Sequence, residues 1–373
     1  MNVLFLTVGL GKGGAEKILS EICLKSSKHG LPLASTVISF TDGPYRNILE
    51  NSGVRCRVLV RKNAPLTVAI WFLTFVLLII RLKKSTDIIH AFTPKGGLLG
   101  VFAKFFISKP LVYSVRCTPS ISILFFKKPV SSICHTIAAR CADIVQCNSK
   151  YVKQEVDKKY HISSCLAPNG IDLAETDSKI KAKQNNNNGV KKEFSILTIC
   201  NLREKNEKDI KTIIDVAVKL KSISFAVLGA GKYLQYFVRY AQKQGAENVC
   251  FVGYQENVFD YLTKADCYIH LTSTEGFSNS ILEAMAAMVP VIASNIPQIS
   301  GLFMDKKHCL LVENKNIPAI IEAINKIKND GSLSLFLAKN ARSLLEKEYS
   351  IEQTLKINYQ MYCDFANVPK TNV

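Results

Sequence analysis

Short apolar runs alternate with longer stretches whose apolar positions recur every three or four residues, and this alternation occurs twice along the chain. VLFLTV, ASTVISF, VRCRVLV, DIIHAF, PLVYSV and IVQCN read as strands, with helices over 14–29, 64–82 and 95–106. Nearly continuous apolar runs of this length, separated by helices, predict a parallel sheet covered on both faces. The pattern stops near Pro168, Asn169 and Gly170, which are turn residues. A polar stretch follows, ending in KQNNNNGVKKE over 183–193, a run that cannot build a core. The alternation then restarts: FSILTIC, SFAVLG, NVCFVG, CYIHL and PVIAS read as strands. Helices fit 209–221, 233–244, 256–264, 279–288 and 317–328. A last helical stretch, 334–365, extends past the second sheet. The expected fold is α/β, with Rossmann-like domains at 1–168 and 169–345 and a C-terminal helix, 346–373, packing back on the first domain. A length of 373 residues suits two domains.

Composition narrows the class. Apolar residues at 48% and charged residues at 21% fit a globular chain with large cores. The net charge of +18 is one-sided: residues 1–170 hold 23 Lys and Arg against 8 Asp and Glu, the rest 25 against 22. Such asymmetry implies an anionic partner: nucleic acid, an acidic membrane leaflet or a phosphorylated substrate. The twelve cysteines are scattered, with no C-x-x-C array, and read as buried thiols in a reducing compartment rather than a zinc site. The start, MNVLFLTVGLGKGG, has no basic n-region and reads as a first strand, not a signal peptide. Ala64 to Ile80 is nearly charge-free, with Arg61 and Lys62 before it and Arg81, Lys83 and Lys84 after. As a helix it would span roughly 25 Å, slightly short for a bilayer. It also stands where an α/β fold needs a crossover helix, so a soluble or interfacial helix is expected.

Three motifs carry chemistry. In Gly11 to Glu16, Gly13 and Gly14 follow the first strand and open a helix, letting backbone approach an anion. After the first strand of the second domain, Arg203, Lys205 and Lys208 supply cations to neutralise a diphosphate leaving group. The third is STEGFSNSILEAMA, 273–286. There the Gly276, Phe277 and Ser278 region leads into a helix whose N–H groups suit phosphate oxygens. Glu283, about one turn inside that helix, has two carboxylate oxygens for the hydroxyls of a ribose. Glu275, in the loop, is placed for sugar hydroxyls or for charge developing at an anomeric carbon. No two aspartates stand two positions apart, so the usual D-x-D metal clamp is absent and no metal or other cofactor is expected.

These motifs, in this order and on these elements, resemble the GT-B retaining glycosyltransferases of family 4. The Glu, seven residues, Glu spacing in EGFSNSILEAMA is that family's hallmark, and GGAEK, PNGID and DIIHAFTPKGGLLG match other family segments. The resemblance implies two Rossmann-like domains with a cleft between them. It implies a nucleotide-diphosphate sugar, with UDP the expected nucleotide, bound mainly by the C-terminal domain, and an acceptor on the N-terminal one. Glu283 would contact the ribose, Glu275 the donor sugar, Arg203 and Lys208 the diphosphate, with Gly13 and Gly14 approaching the phosphates. Where the family often has a histidine, this chain has Arg116, which would contact donor phosphate or sugar, or be structural. Met288 stands where a glycine is common, and His308-Cys309 where Asn-Gly is common; both read as packing changes.

The expected function is transfer of a hexosyl or N-acetylhexosaminyl unit, with retention, to a polyprenyl-diphosphate-linked saccharide in O-antigen or capsule synthesis. The partners would be the donor, that acceptor and an anionic membrane surface, not nucleic acid. The place would be the inner face of the cytoplasmic membrane, held peripherally. The alternatives are a sugar-nucleotide epimerase of the same fold and a non-catalytic protein that binds membranes or polyanions.

Overall fold

The computed structural model describes residues 1–11, 13–60, 68–117, 129–184, 193–202 and 208–366. Lys62, most of the Asn-rich run, Arg203 and Lys205 lie outside these residues. The chain forms two compact units: Met1–Gly170 together with Glu352–Val373, and Ile171–Ile351.

In the first unit, seven strands form one sheet in the order β3-β2-β1-β4-β5-β6-β7, and every pairing is parallel. They are β1 (Asn2–Gly9), β2 (Ala34–Thr41), β3 (Arg55–Val60), β4 (Ile88–Phe92), β5 (Leu111–Val115), β6 (Ile144–Cys147) and β7 (Cys165–Leu166). The helices between them are α1 (Gly14–Lys25), α2 (Pro44–Asn51), α3 (Val68–Leu82), α4 (Pro94–Ile107), α5 (Pro129–Cys141) and α6 (Lys150–Tyr160). The six expected strands are all present. The short β7 and the helices α2, α5 and α6 are additions to the expected set. In α6, mostly charged, only Val152, Val156 and Tyr160 are buried, one per turn, and Ser149 caps the start by accepting from Val152 N at 3.2 Å. The expected helix 14–29 ends as α1 at Lys25 and continues as a 3-10 turn over Ser27–His29, which stops at left-handed Gly30.

The second unit holds a six-stranded parallel sheet, order β10-β9-β8-β11-β12-β13. In chain order its elements are α7 (Leu173–Gln184), β8 (Ser195–Ile199), α8 (Ile210–Lys219), β9 (Ser224–Leu228), α9 (Leu234–Gln244) and β10 (Val249–Gly253). Then follow α10 (Phe259–Leu262), β11 (Cys267–His270), α11 (Asn279–Ala286), β12 (Val291–Ser294), α12 (Pro297–Ser300), β13 (Leu310–Val312), α13 (Ile317–Asn329) and α14 (Gly331–Glu348). Arg342 of α14 grips Asp177 of α7 through two nitrogens, at 2.9 and 2.8 Å, and donates to Ala286 O at 2.9 Å, fixing the end of α11. The expected single helix over 334–365 is two helices: α14 stops at Glu348 and α15 (Ile351–Ala366) begins after a break. The break has a cause. Ile171 N donates to Tyr349 O and Ile351 N to Ile171 O, both at 2.9 Å, so backbone groups that a continuous helix would need are used sideways. Met288, just past α11, sits at φ 59°. The glycine it stands in for is therefore a matter of left-handed backbone, not of packing as expected.

In both units the middle strands are buried throughout, so any polar side chain on them must find partners inside. In the first unit these partners form a chain. Ser114 Oγ donates to Gln146 Oε1 at 2.5 Å, which spends its only proton. His90 Nε2, 2.7 Å from Ser114 Oγ, is therefore the donor there, and His90 Nδ1 accepts from Tyr362 OH at 2.6 Å. Gln146 Nε2 donates to Asn358 Oδ1 at 2.9 Å. Tyr362 and Asn358 belong to α15, so these polar contacts dock the last helix on the first sheet. Burial, and next the nearby Arg116 charge, hold the His90 pKa well below its usual value, which keeps the ring neutral. Tyr362→Phe leaves His90 Nδ1 unpaired inside the core. It is expected to destabilise this unit by about 1–3 kcal/mol, read from urea unfolding followed at Trp71, the single tryptophan of the chain.

Candidate active site

An open parallel sheet presents ligands at the carboxyl ends of its strands, where the strand order reverses. In the second unit that point lies between β8 and β11. The loops leaving these strands are joined by backbone. Lys208 pairs with Thr272 as an antiparallel bridge, and Asp209 N donates to Leu271 O at 3.0 Å. The joining brings Lys208, His270 and Glu275 together.

Glu275 Oε2 accepts a hydrogen bond from Lys208 Nζ and lies 2.9 Å from His270 Nε2; Glu275 Oε1 accepts from Gly276 N at 3.2 Å. Lys208 Nζ and His270 Nε2 are 3.2 Å apart. Burial alone would raise the Glu275 pKa, but the Lys208 charge and the His270 hydrogen bond outweigh it and hold the carboxyl well below the usual carboxylate range. Burial, then the Lys208 charge, lower the His270 pKa against the opposing pull of Glu275. The site therefore holds an ionised carboxylate and a neutral imidazole near pH 7. A Glu275 side chain 16% exposed is still within reach of a ligand.

A second layer fixes the loop. Thr272 N donates to Ser294 Oγ at 2.9 Å, and Asn314 Nδ2 donates to Thr272 O at 2.9 Å. Ser294 Oγ donates to Asn314 Oδ1, closing the ring, and Thr272 Oγ1 donates to Thr274 O at 2.7 Å. Gly229, at the end of β9, has φ 140°, and a Cβ there would overlap the Cys200 carbonyl, so only glycine lets these two loops cross.

Ser278 is the N-cap residue of α11; its Oγ lies 3.4 Å from His270 Nε2 and 3.2 Å from Ser280 Oγ. The Phe277 ring is buried against Tyr349, centroids 5.8 Å apart, so Phe277 and Gly276 offer a ligand their backbone. Glu283 is half-buried on α11, close enough for its charge to act on the Tyr268 hydroxyl. The second unit thus gathers Glu275, Gly276, Phe277, Ser278, Glu283 and Lys208 at one strand edge. His270, Ser294 and Asn314 join them, although sequence reasoning passed over all three. His270 left a signal: a titratable residue in the buried strand just before Glu275.

The other expected residues belong to the first unit. Gly13 is the N-cap of α1 and Gly14 its first residue; a Cβ on Gly13 would overlap the Glu16 carboxylate. Arg116 follows β5. Its Nη1 donates to Asn169 Oδ1 at 3.0 Å and Ala167 O at 3.4 Å, its Nη2 to Gln146 Oε1 at 2.9 Å and Ser114 Oγ at 3.2 Å. Among the described residues no carboxylate pairs with it and its buried Nε has no partner; the guanidinium lies 5.2 Å from the Phe92 ring centre. Burial pushes its pKa down to about 10, still charged at neutral pH. Arg203 and Lys205 lie outside the described residues. Among the described residues, no three His, Cys, Asp or Glu side chains are grouped as metal ligands.

Known proteins match this chain over most of its length. Residues 12–175 match the family model Glycosyltransferase Family 4, and residues 179–344 match Glycosyl transferases group 1. The chain is 24% identical over 303 residues to the capsular polysaccharide biosynthesis glycosyltransferase CapM of Staphylococcus aureus, covering 76% of this chain and 78% of that one. It is 24% identical over 345 residues to N-acetylgalactosamine-N,N'-diacetylbacillosaminyl-diphospho-undecaprenol 4-alpha-N-acetylgalactosaminyltransferase of Campylobacter jejuni, covering 87% and 89%. The crystal structure of HepE from Anabaena, in complex with UDP and glucose, superposes with a TM-score of 0.80 at 20% identity, over 97% of this chain and 99% of that one. The chain belongs to the family 4 glycosyltransferases and has their GT-B architecture of two parallel-sheet α/β domains.

Proposed function

We propose that the enzyme transfers a hexosyl or N-acetylhexosaminyl unit from a UDP-sugar to a polyprenyl-diphosphate-linked saccharide, with retention, in surface polysaccharide synthesis. The observation that carries this is the Lys208–Glu275–His270 cluster at the switch point of the second unit. An ammonium suits the donor diphosphate, and an ionised carboxylate beside it suits sugar hydroxyls and the positive charge that grows at the anomeric carbon. The N-terminal N–H groups of α11 would add to the phosphate site, Glu283 would hold the ribose, and Arg203 would join Lys208 at the diphosphate. In the transfer, the anomeric C–O bond breaks with its electrons going to the diphosphate. The acceptor oxygen bonds to the same face, and its proton ends on the departing diphosphate. Leaving-group charge is met by Lys208 and helix N–H groups, with no metal ion required.

The relatives support the donor and acceptor classes. HepE binds UDP, and one Escherichia coli relative is a UDP-Gal:alpha-D-GlcNAc-diphosphoundecaprenol alpha-1,3-galactosyltransferase, 23% identical over 304 residues. A lipid-linked acceptor needs access to a membrane surface. No described helix is long and apolar enough to cross a membrane. On the first unit, however, α3 packs on α4 and α4 on α5, and all three leave large apolar side chains in solvent. Leu73, Leu77, Phe105 (80% exposed), Ile133 and Ile137 are among them, and Phe72 and Phe102 bring their rings to 5.2 Å across α3 and α4. Exposed Arg81, Lys83 and Lys84 end α3. An apolar face with a basic border fits peripheral docking on an anionic leaflet, here the inner face of the cytoplasmic membrane.

Three measurements test this reading. Glu275→Gln is expected to lower kcat about 10²- to 10³-fold while UDP still raises the melting temperature; undiminished transfer removes Glu275 from the chemistry. Saturating EDTA is expected to leave turnover unchanged, and a loss restored by a divalent ion would contradict the metal-free scheme. The double variant Leu73→Ser, Phe105→Ser is expected to lose co-sedimentation with phosphatidylglycerol vesicles, and wild type to release in high salt. Binding that ignores both changes refutes the docking face.

A further inference from the structure

We infer that His270 is the positioning residue that keeps Glu275 in place when the donor diphosphate draws Lys208 away. This rests on the reading above, in which Lys208 serves the diphosphate. The same Glu275 carboxylate oxygen takes both Lys208 and His270. A diphosphate competes for the ammonium, so a Glu275 held by Lys208 alone would lose its anchor at the moment it is needed. Among the described residues its other oxygen meets only Gly276 N of its own loop.

His270 is built for the part that remains. It ends β11, is 3% exposed, and cannot follow a ligand. Its proton position follows from its neighbours. An unprotonated Nε2 at 2.9 Å from a carboxylate oxygen would set lone pair against lone pair, so Nε2 carries the hydrogen. Nδ1 then accepts the single proton of Tyr268 OH at 3.2 Å, which leaves Ile199 O, 3.4 Å from the hydroxyl, a neighbour without that proton. Tyr268 is fully buried, so the chain from Tyr268 through His270 to Glu275 rests on core residues. Ser278 Oγ, 3.4 Å from Nε2, closes the site from the α11 side. No step of the transfer is assigned to the imidazole; it acts through Glu275.

The experiment compares His270→Leu with His270→Gln, whose amide can again present a donor towards Glu275. His270→Leu is expected to lower kcat about 10- to 100-fold, the worth of a hydrogen bond to a charged group, with UDP affinity within twofold of wild type. His270→Gln is expected to regain most of the loss. Full activity in His270→Leu overturns the inference. So does a loss that Gln does not rescue in variants that fold and bind UDP, or a loss of UDP affinity that parallels kcat. A donor-independent readout is NMR of the imidazole nitrogens in Lys208→Met. His270 is expected to remain the Nε2–H tautomer and to titrate at higher pH than in wild type, because the ammonium is gone and Glu275 stays; an unchanged titration overturns the inference. UDP affinity unaltered in Lys208→Met instead removes Lys208 from the diphosphate, a separate failure of the reading above.

Discussion

A carboxylate taken partly out of water must be given donors, and the second unit is arranged around that need at Glu275. The donors come from three places: a cation on the loop after β8, an imidazole at the end of β11, and the backbone beside the carboxylate. The cation is brought in by the Lys208–Thr272 bridge, which ties the two loops at the strand-order reversal. The loop in turn depends on Ser294 and Asn314. The charge of Glu275 is thus a property of the sheet's topology and of hydrogen bonds that never touch it.

The first unit solves a buried charge in the opposite way. Among the described residues Arg116 has no carboxylate partner; two carbonyl-type oxygens from Gln146 and Asn169, a hydroxyl and a backbone carbonyl hold its outer nitrogens. Neutral dipoles stabilise a guanidinium without cancelling it, so positive potential survives at the carboxyl edge of β5. The same Gln146 also reaches Asn358, so one amide serves both the charged residue and the docking of the last helix.

Much of this was legible in the sequence because buried parallel strands write themselves as unbroken apolar runs. DIIHAF, PLVYSV and CYIHL gave their strands to within a residue or two, and the loops after β8 and β11 hold Lys208 and Glu275, with Glu283 on the helix that follows. Three kinds of feature escaped. Helices such as α6, with one buried residue per turn among charges, carry too weak a period to stand out. Polar residues inside strands, such as His90 and Gln146, have meaning only through partners far away in the chain, and His270 only once the loop after β11 folds Glu275 back onto it. The division of 334–365 into two helices is caused by Ile171, about 180 positions upstream, and nothing local at Tyr349 announces it. The apolar run from Ala64 did mark an interfacial candidate, but its extension over α4 and α5 required the fold.

The return of α15 to the first sheet has a consequence for how the chain folds during synthesis. Residues 171–351 form one continuous unit, so it can close as soon as it leaves the ribosome. The first unit is begun first and finished last: His90 and Tyr362 are separated by 272 positions, and until α15 is released His90 Nδ1 and Gln146 Nε2 lack their partners Tyr362 and Asn358. Contacts of such separation are slow to form. The half of the protein that emerges first is therefore the one that stays longest incomplete, and a chain truncated just after Ile351 would retain a whole second unit and an unfinished first.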